Sequence, residues 1–418
     1  MRISDRMLNR NFIYNINSQK AEVENLREKV ATQTKVEKPS DDPRAAADIL
    51  KYTSSLNSVE NFKKNIDKTL TFLNRTTTVM QSILDLVGDV DVQLTELQNS
   101  ANDGNNDIFA DKFSLDLDSL VEYANQKFDG KYLFGGTDFG EKPFDYTTSK
   151  ANVIQKASDI SGKINVKVSP NAPQTMNVNG AELFGTILNF DGNLNKNSAV
   201  GDSITNSNKV YDVEGNEYDV ATTIKKTGAD QYELTYEVKD ATGNVVAENS
   251  SSPVQLVFDT NKKMLKTMDG RVPKLIHVSN SNKYLNFYID VRSITEKEES
   301  SQLSSTINQK LDIFNVIAKI RDTVKAGKKP SEELIKAVKD FHQKLINKMS
   351  EVGAEINRLN DSKSMLENQQ LEYKNLLANT QQVDVVDAVT KMQYYDYLLQ
   401  VSYKMSSMIL PKSILDYL

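Results

Sequence analysis

The sequence predicts a mainly helical chain in which paired long helices from the two ends form an antiparallel coiled-coil bundle and enclose an outer antiparallel β domain. Three observations predict it. Apolar residues recur at steps of three and four over both ends, apolar and polar residues alternate through the middle, and breakers are sparse, with 17 glycines and nine prolines in 418 residues. Sparse breakers permit long uninterrupted helices.

The first helical stripe is Leu8, Phe12, Ile16, Val23, Leu26 and Val30, with Gln19 in one core slot, the a/d pattern of a two-helix seam. It ends at "KPSDDPRAAADIL", residues 38–50. Pro39 keeps the residue before it out of helical geometry, so the helix is expected to stop by about Lys38. Asp42 is placed to cap a second helix with Pro43 as its first residue, where a missing N–H costs nothing. In that second helix eleven of fourteen a/d slots from Ile49 to Leu94 are apolar, the exceptions being Lys63, Thr77 and Asp91. At ~1.5 Å per residue it runs about 85 Å and must pair lengthwise with something. The partner stripe is Leu334, Val338, Phe341, Leu345, Met349, Val352, Ile356, Leu359, Leu366 and Tyr373. A shorter stripe, Leu303, Ile307, Leu311, Phe314 and Ile317, reads as another helix before the "KAGKKPSEE" turn, where Ser331 begins the next.

Between about residues 150 and 292 the period falls to two. Tyr218, Val220, Thr222 and Ile224 alternate with polar residues, as do Tyr232, Leu234, Tyr236 and Val238, and "EGNE", "TGAD" and "ATGN" supply turns between them. This is the signature of antiparallel hairpins. "KINVKV", "VQLVF" and "YLNFYIDV" are further strand candidates.

The composition excludes several functions. A net charge of −6 argues against a nucleic-acid binder, whose footprint is a basic stripe. With no cysteine there is no disulfide, thiolate metal site or cysteine nucleophile. His277 and His342 lie far apart without HExxH spacing, so no catalytic, cofactor or metal residues are assigned. "NDGNND" at 102–107 has calcium-ligand residue types but not the twelve-residue spacing, and reads as an inter-helix turn. "GKYLFGGTDFG" at 130–140 lacks a phosphate-loop Lys-Ser/Thr pair and reads as a hairpin packed on the helices. No apolar run suits a cleaved leader or a membrane span.

The last segment, from Val383 to Leu410, is helical and rich in tyrosine and methionine, including Tyr394 and Tyr397. Such surfaces pack adaptably and bind other chains. The candidate assembly interface is therefore Leu8, Phe12, Ile16, Val23, Leu26 and Val30 with Val389, Met392, Tyr395, Leu399, Tyr403, Met405, Met408, Leu415, Tyr417 and Leu418. The break between domains is Pro39, Ser40, Asp41, Asp42 and Pro43.

Read together, "MRIS", "KPSDDPRAAA", "DGKYLFGGTDFGEKPF", "MNVNGAELFG", "VDVVDAVTKMQ" and the terminal "ILDYL" resemble the bacterial flagellar hook–filament junction proteins, the hook-associated protein 3 family. "VYDVEGNEYDVATT" in the insertion is similar to the β element of flagellar hook-type proteins. The resemblance implies a structural adaptor, not an enzyme, joining hook to flagellin filament. It implies a ring-like homo-oligomer that meets a neighbouring hook-associated protein and flagellin. It also implies an export chaperone before secretion, and passage unfolded through the flagellar type III apparatus to the extracellular flagellum, with no nucleic acid and no membrane insertion. The expected domains are 1–40 with 378–418 as the inner terminal coil, 41–149 with 293–377 as the long-helix bundle carrying a hairpin near 130–146, and 150–292 as the outer β domain. On this reading the break separates a coil that orders on assembly from a bundle that folds alone. A flagellin-type filament subunit, and a secreted coiled-coil protein with an adhesive outer domain, are the alternatives.

Overall fold

A computed structural model describes residues 2–36, 38–99, 104–138, 140–157, 159–170 and 173–409, with backbone alone at 2–6, 8, 9 and 406–409. Three helices open the chain: α1 (Arg2–Thr32), α2 (Pro43–Gln98) and α3 (Asn106–Ala124). Short strands follow as β1 (Lys127–Phe128), β2 (Lys131–Tyr132), β3 (Phe144–Tyr146), β4 (Val153–Gln155), β5 (Asn165–Lys167) and β6 (Pro173–Thr175), then the one-turn helix α4 (Gly180–Phe184). The longer strands are β7 (Ile187–Asn195), β8 (Ser203–Tyr211), β9 (Glu217–Gly228), β10 (Gln231–Asp240), β11 (Val245–Glu248), β12 (Val254–Phe258), β13 (Leu265–Met268), β14 (Ile276–Asn280), β15 (Leu285–Lys297) and β16 (Gln302–Ile307). Three helices close it: α5 (Ile313–Lys325), α6 (Glu332–Gln381) and α7 (Val385–Ile409). The chain divides into two compact units, Met1–Lys64 with Asp361–Leu418, and Asn65–Asn360.

In the Asn65–Asn360 unit a six-stranded sheet, β13-β12-β10-β9-β8 with β11 beside β10, faces a four-stranded sheet, β14-β15-β7-β16. Their inner faces share one core that includes Phe190, Val220, Leu234, Leu256, Phe287 and Ile289. Strand β7 runs parallel to β15, with Leu188 opposite Ile289, and antiparallel to β16. The β8–β9 and β10–β11 turns use the same chemistry. Asp212 Oδ1 accepts from the Glu214 and Asn216 amides at 2.9 Å each, and Asp240 Oδ1 from the Thr242 and Asn244 amides at 3.0 Å each. Both follow an Asp-x-x-Gly-Asn spacing that lets one carboxylate satisfy two turn N–H groups.

The stripe at 303–317 corrects the helical reading. Residues 302–307 form β16, and α5 starts at Ile313, where Asp312 Oδ1 accepts the Asn315 amide at 3.0 Å. Leu303 and Ile307 are four apart, a step that fits both periods, and pairing with β7 decides it. The first helix also stops earlier than Pro39 demands, at Thr32. Gln33 turns left-handed at φ 57°, and the next residues pair with the end of α6 and the residue after it, Lys35 N donating to Gln381 O at 2.6 Å.

The two glycine-rich motifs fold onto each other. Asp129 and Gly130, both at positive φ, form the two-residue turn of the β1–β2 hairpin, so the hairpin closes at 132. Beyond it, Phe144–Tyr146 pairs with Val153–Gln155, not within a 130–146 hairpin. At Gly136 a Cβ would meet the Ile160 carbonyl at 2.8 Å, and φ is +63°, so a side chain there is excluded twice. The Asn177 side chain donates to Gly136 O and Gly162 O, the Gly180 amide donates to Phe134 O, and Asn179 caps α4. Phe134, Phe144, Phe184, Phe314 and Phe341 then interlock, with centroids 4.7–6.1 Å apart. This aromatic cluster fastens α5 and α6 to the start of the β layer.

Candidate assembly interface

Helices α1 and α7 run antiparallel within the Met1–Lys64/Asp361–Leu418 unit. Midway along α1, Gln19 Oε1 accepts from Ser402 Oγ at 3.3 Å, while past its end Thr34 bridges Gln382. Each helix begins or ends at a defined stop. Asp384 Oδ1 takes the Val386 and Asp387 amides at 3.0 and 3.1 Å and so caps α7. Asp42 Oδ1 takes the Arg44 and Ala45 amides at 3.1 and 3.0 Å and so caps α2, whose first residue Pro43 has no N–H to satisfy. Asp41 Oδ2 accepts from Lys38 N at 2.9 Å and closes the turn around Pro39 and Ser40.

The predicted interface residues divide into two sets. Val23 and Leu26 on α1 are buried and Phe12, Ile16 and Val30 are half-buried. On α7, Leu399 is buried while Val389, Met392 and Tyr395 are half-buried. These face the seam, where Gln19 occupies its expected core slot and pairs with Ser402. Tyr403 and Met405 point away, at 54% and 48% exposure. The side chains of Leu8 and Met408, and all of Leu415, Tyr417 and Leu418, lie outside the described residues.

A second apolar set lies on the outside of the same helices. Ile13 and Tyr14 of α1, and Val386, Tyr394 and Tyr397 of α7, are all more than half exposed. The sequence reading noted Tyr394 and Tyr397 but missed Ile13, Tyr14 and Val386. For Ile13 a signal was available: it directly follows the heptad position Phe12, where a two-helix seam needs no second apolar residue. On α7 Lys391 reaches Asp387 at 2.8 Å, and that hydrogen bond raises the lysine's pKa.

Where α2 and α6 share this unit the packing is also thin and partly polar. Lys63, in a core slot, contacts Gln370 at 2.9 Å and Glu367 at 3.4 Å. Seven apolar side chains are buried among the unit's described residues: Val23, Leu26, Val36, Val59, Leu366, Ala388 and Leu399. Exposed apolar side chains on both helices beside so thin a core are what an interaction face presents. Among the described residues no helix is long and apolar enough to cross a membrane, and no three His, Cys, Asp or Glu side chains are grouped to hold a metal ion. His277 instead stacks on Tyr288 and contacts Asn286 Oδ1 at 2.9 Å, with burial first among the causes that lower its pKa.

Three solved structures resemble the chain. A flagellar hook associated protein-3 from Legionella pneumophila is 16% identical over 79% of this chain and 97% of its own, with a TM-score of 0.46. A flagellar junction protein from the same organism is 15% identical over 81% and 100%, with a TM-score of 0.44. A putative flagellar hook-associated protein from Vibrio parahaemolyticus is 12% identical over 82% and 100%, with a TM-score of 0.46. No curated protein sequence matches. Residues 3–138 match the bacterial flagellin N-terminal helical region and residues 335–418 the bacterial flagellin C-terminal helical region, together just over half of the chain. By these two regions the chain belongs to the flagellin-like family of bacterial flagellar proteins.

Proposed function

We propose that the chain is a structural, non-catalytic subunit of the bacterial flagellum that joins the hook to the flagellin filament, exported unfolded and self-assembling through its terminal helices. The observation that carries this reading is the α1–α7 pair, which covers one apolar face and leaves Ile13, Tyr14, Val386, Tyr394 and Tyr397 to be covered by neighbours. Residues 1–40 with 378–418 form the assembly coil, 41–149 with 293–377 the bundle, and 150–292 the outward β domain. The junction role, as against the filament itself, is favoured by "KPSDDPRAAA" and by the interlocked "GKYLFGG" and "MNVNGAELFG" motifs. Its partners are further copies of itself, a hook-associated protein, flagellin and, before secretion, an export chaperone.

Immunolabelling of purified flagella tests it, with one band expected where hook meets filament. Label along the whole filament would instead make the chain a flagellin-type subunit, a reading that its family membership supports equally. Replacing Phe12 and Met405 together by Asp should leave secretion intact and abolish assembly. Normal assembly of that variant would remove the terminal helices from the interface.

A further inference from the structure

Two cavities flank one lysine of α6. The first, about 500 Å³, is polar and includes Glu182, Asp290, Arg292, Asp340 and Lys348 in its lining. The second, about 340 Å³, lies between α5 and α6 over an apolar floor of Leu311, Ile313, Val316, Leu334 and Phe341. Lys344 lines both. Its Nζ is sealed from solvent and has no hydrogen-bond partner, although Asp340 stands one turn before it on the same helix.

Several of the neighbouring cations are already paired. Arg292 holds Asp290 at 2.7 Å, Lys163 holds Glu182 at 3.0 Å, and Lys348 holds Glu182 at 3.2 Å and Glu351 at 2.8 Å. At the other cavity Lys310 contacts Glu333 at 3.7 Å. An unpaired ammonium removed from water is strongly disfavoured unless a counter-charge is supplied. Burial, aided by Lys348 and opposed by Glu182, pushes the Lys344 pKa down to about 8.

We propose that the cavity between α5 and α6 binds a carboxylate-bearing amphiphile, whose head group pairs with Lys344 and whose hydrocarbon chain lies on the floor from Leu311 to Phe341. The ammonium supplies the charge complementarity, and a small rotation of its flexible stem carries Nζ from the wall into the cavity. The volume lies within the roughly 300–1,000 Å³ of small-molecule sites. Lys310, Lys319 and Lys336 line the same cavity with Lys344, against the two carboxylates Glu333 and Asp340, so the wall as a whole suits an anionic head group. An apolar chain suits the floor, whose five side chains are all apolar. This site stands apart from the terminal helices and does not depend on the proposed place of the chain in the flagellum.

Decanoate is the probe, titrated calorimetrically into the full chain at pH 7. Saturable binding at one per chain is expected, weakened at least tenfold in K344M and unchanged in K225Q, whose lysine is exposed on β9. At pH 9 the native chain should take up close to one proton per decanoate, read from two buffers of different ionisation enthalpy, and K344M none. Removing an unpaired buried charge should not unfold the protein, so loss of binding in K344M reports the site. Absence of saturable binding, equal affinity in K344M, or decanol binding as tightly as decanoate would each overturn the proposal.

Discussion

One helix, α2, lives under two regimes. From Ile66 to Leu97 it buries two stripes: Ile66, Leu70, Leu73, Met80, Val87 and Leu94 on one, and Phe72, Val79, Ile83, Leu86, Val90 and Leu97 on the other. Phe128 of β1 meets Phe72 edge-on at 6.3 Å, and His342 of α6 approaches Gly88. From Pro43 to Lys64 the same helix buries Val59 alone among its apolar side chains and exposes Leu50. Helix propensity does not differ enough between the halves to matter. The second stripe does. A helix covered on two faces belongs to a core that holds itself together, whereas a helix covered on one narrow seam draws stability from whatever later covers the rest.

The sharpest way to break this comparison is to cut one hole in each unit. Phe184 sits at the centre of the five-ring cluster, within 5.2–6.1 Å of Phe134, Phe144, Phe314 and Phe341. Phe184→Ala should cost about 3–5 kcal/mol in urea unfolding of the Asn65–Asn360 unit, the usual range for a buried ring. Leu399→Ala in the α1–α7 seam should cost the monomer less than about 2 kcal/mol, because a seam open at its flanks collapses or wets. Equal losses would show that the seam is as well packed as the cluster and would remove the distinction.

Much of this was legible in the sequence, and what was not has a physical cause. The fourteen a/d slots from Ile49 to Leu94 all turn away from full exposure, as do the ten of the partner stripe on α6. A three-and-four step survives any packing partner. In the six-stranded sheet β9 and β10 were legible from alternation and turn chemistry and β12 from its apolar run, whereas β8, β11 and β13 carried no such pattern. The second stripe of α2 was not, since a heptad template assigns one face and counts Phe72 or Ile83 as outside it. Nor was β16, where two apolar residues four apart suit either period until β7 chooses. At the interface the seam positions followed from spacing, but which side of each helix stays uncovered is a tertiary fact. Tyr403 and Met405 therefore turned out to be exposed rather than in the seam.

Electrostatics sharpens the contrast at a smaller scale. Glu182, only 17% exposed, accepts Lys163, Lys348 and Arg292 at 3.0, 3.2 and 3.4 Å. Burial alone would raise its pKa, yet the three cations outweigh it and hold the carboxyl at about 2. A depressed folded pKa gives stability that is present above the unfolded value of 4.5 and is lost as the pH falls from there toward 2. Glu182→Gln should therefore destabilise the protein by roughly 2–3 kcal/mol at pH 7. The difference from wild type should shrink across pH 4.5 to 2 in acid-titrated melts. In the terminal unit the Lys391–Asp387 pair is exposed, so solvent screening leaves it little to contribute. A pH-independent penalty for Glu182→Gln would mean that packing, not charge, holds α4 in place.

The smallest effect falls on the break itself. Pro43 leaves two amides of the first turn, on Arg44 and Ala45, to the Asp42 carboxylate, so the start of α2 depends on one side chain. Asp42→Ala should cost about 1 kcal/mol, the usual worth of a helix cap, and Asp42→Asn should recover most of it. Because α2 begins in the thinly packed unit, the loss should appear as faster hydrogen exchange at Arg44 and Ala45 without a shift in unfolding of the Asn65–Asn360 unit. If Asp42→Ala instead lowered the stability of both units together, the proline-flanked turn would be coupling two halves that the burial pattern says fold on different terms.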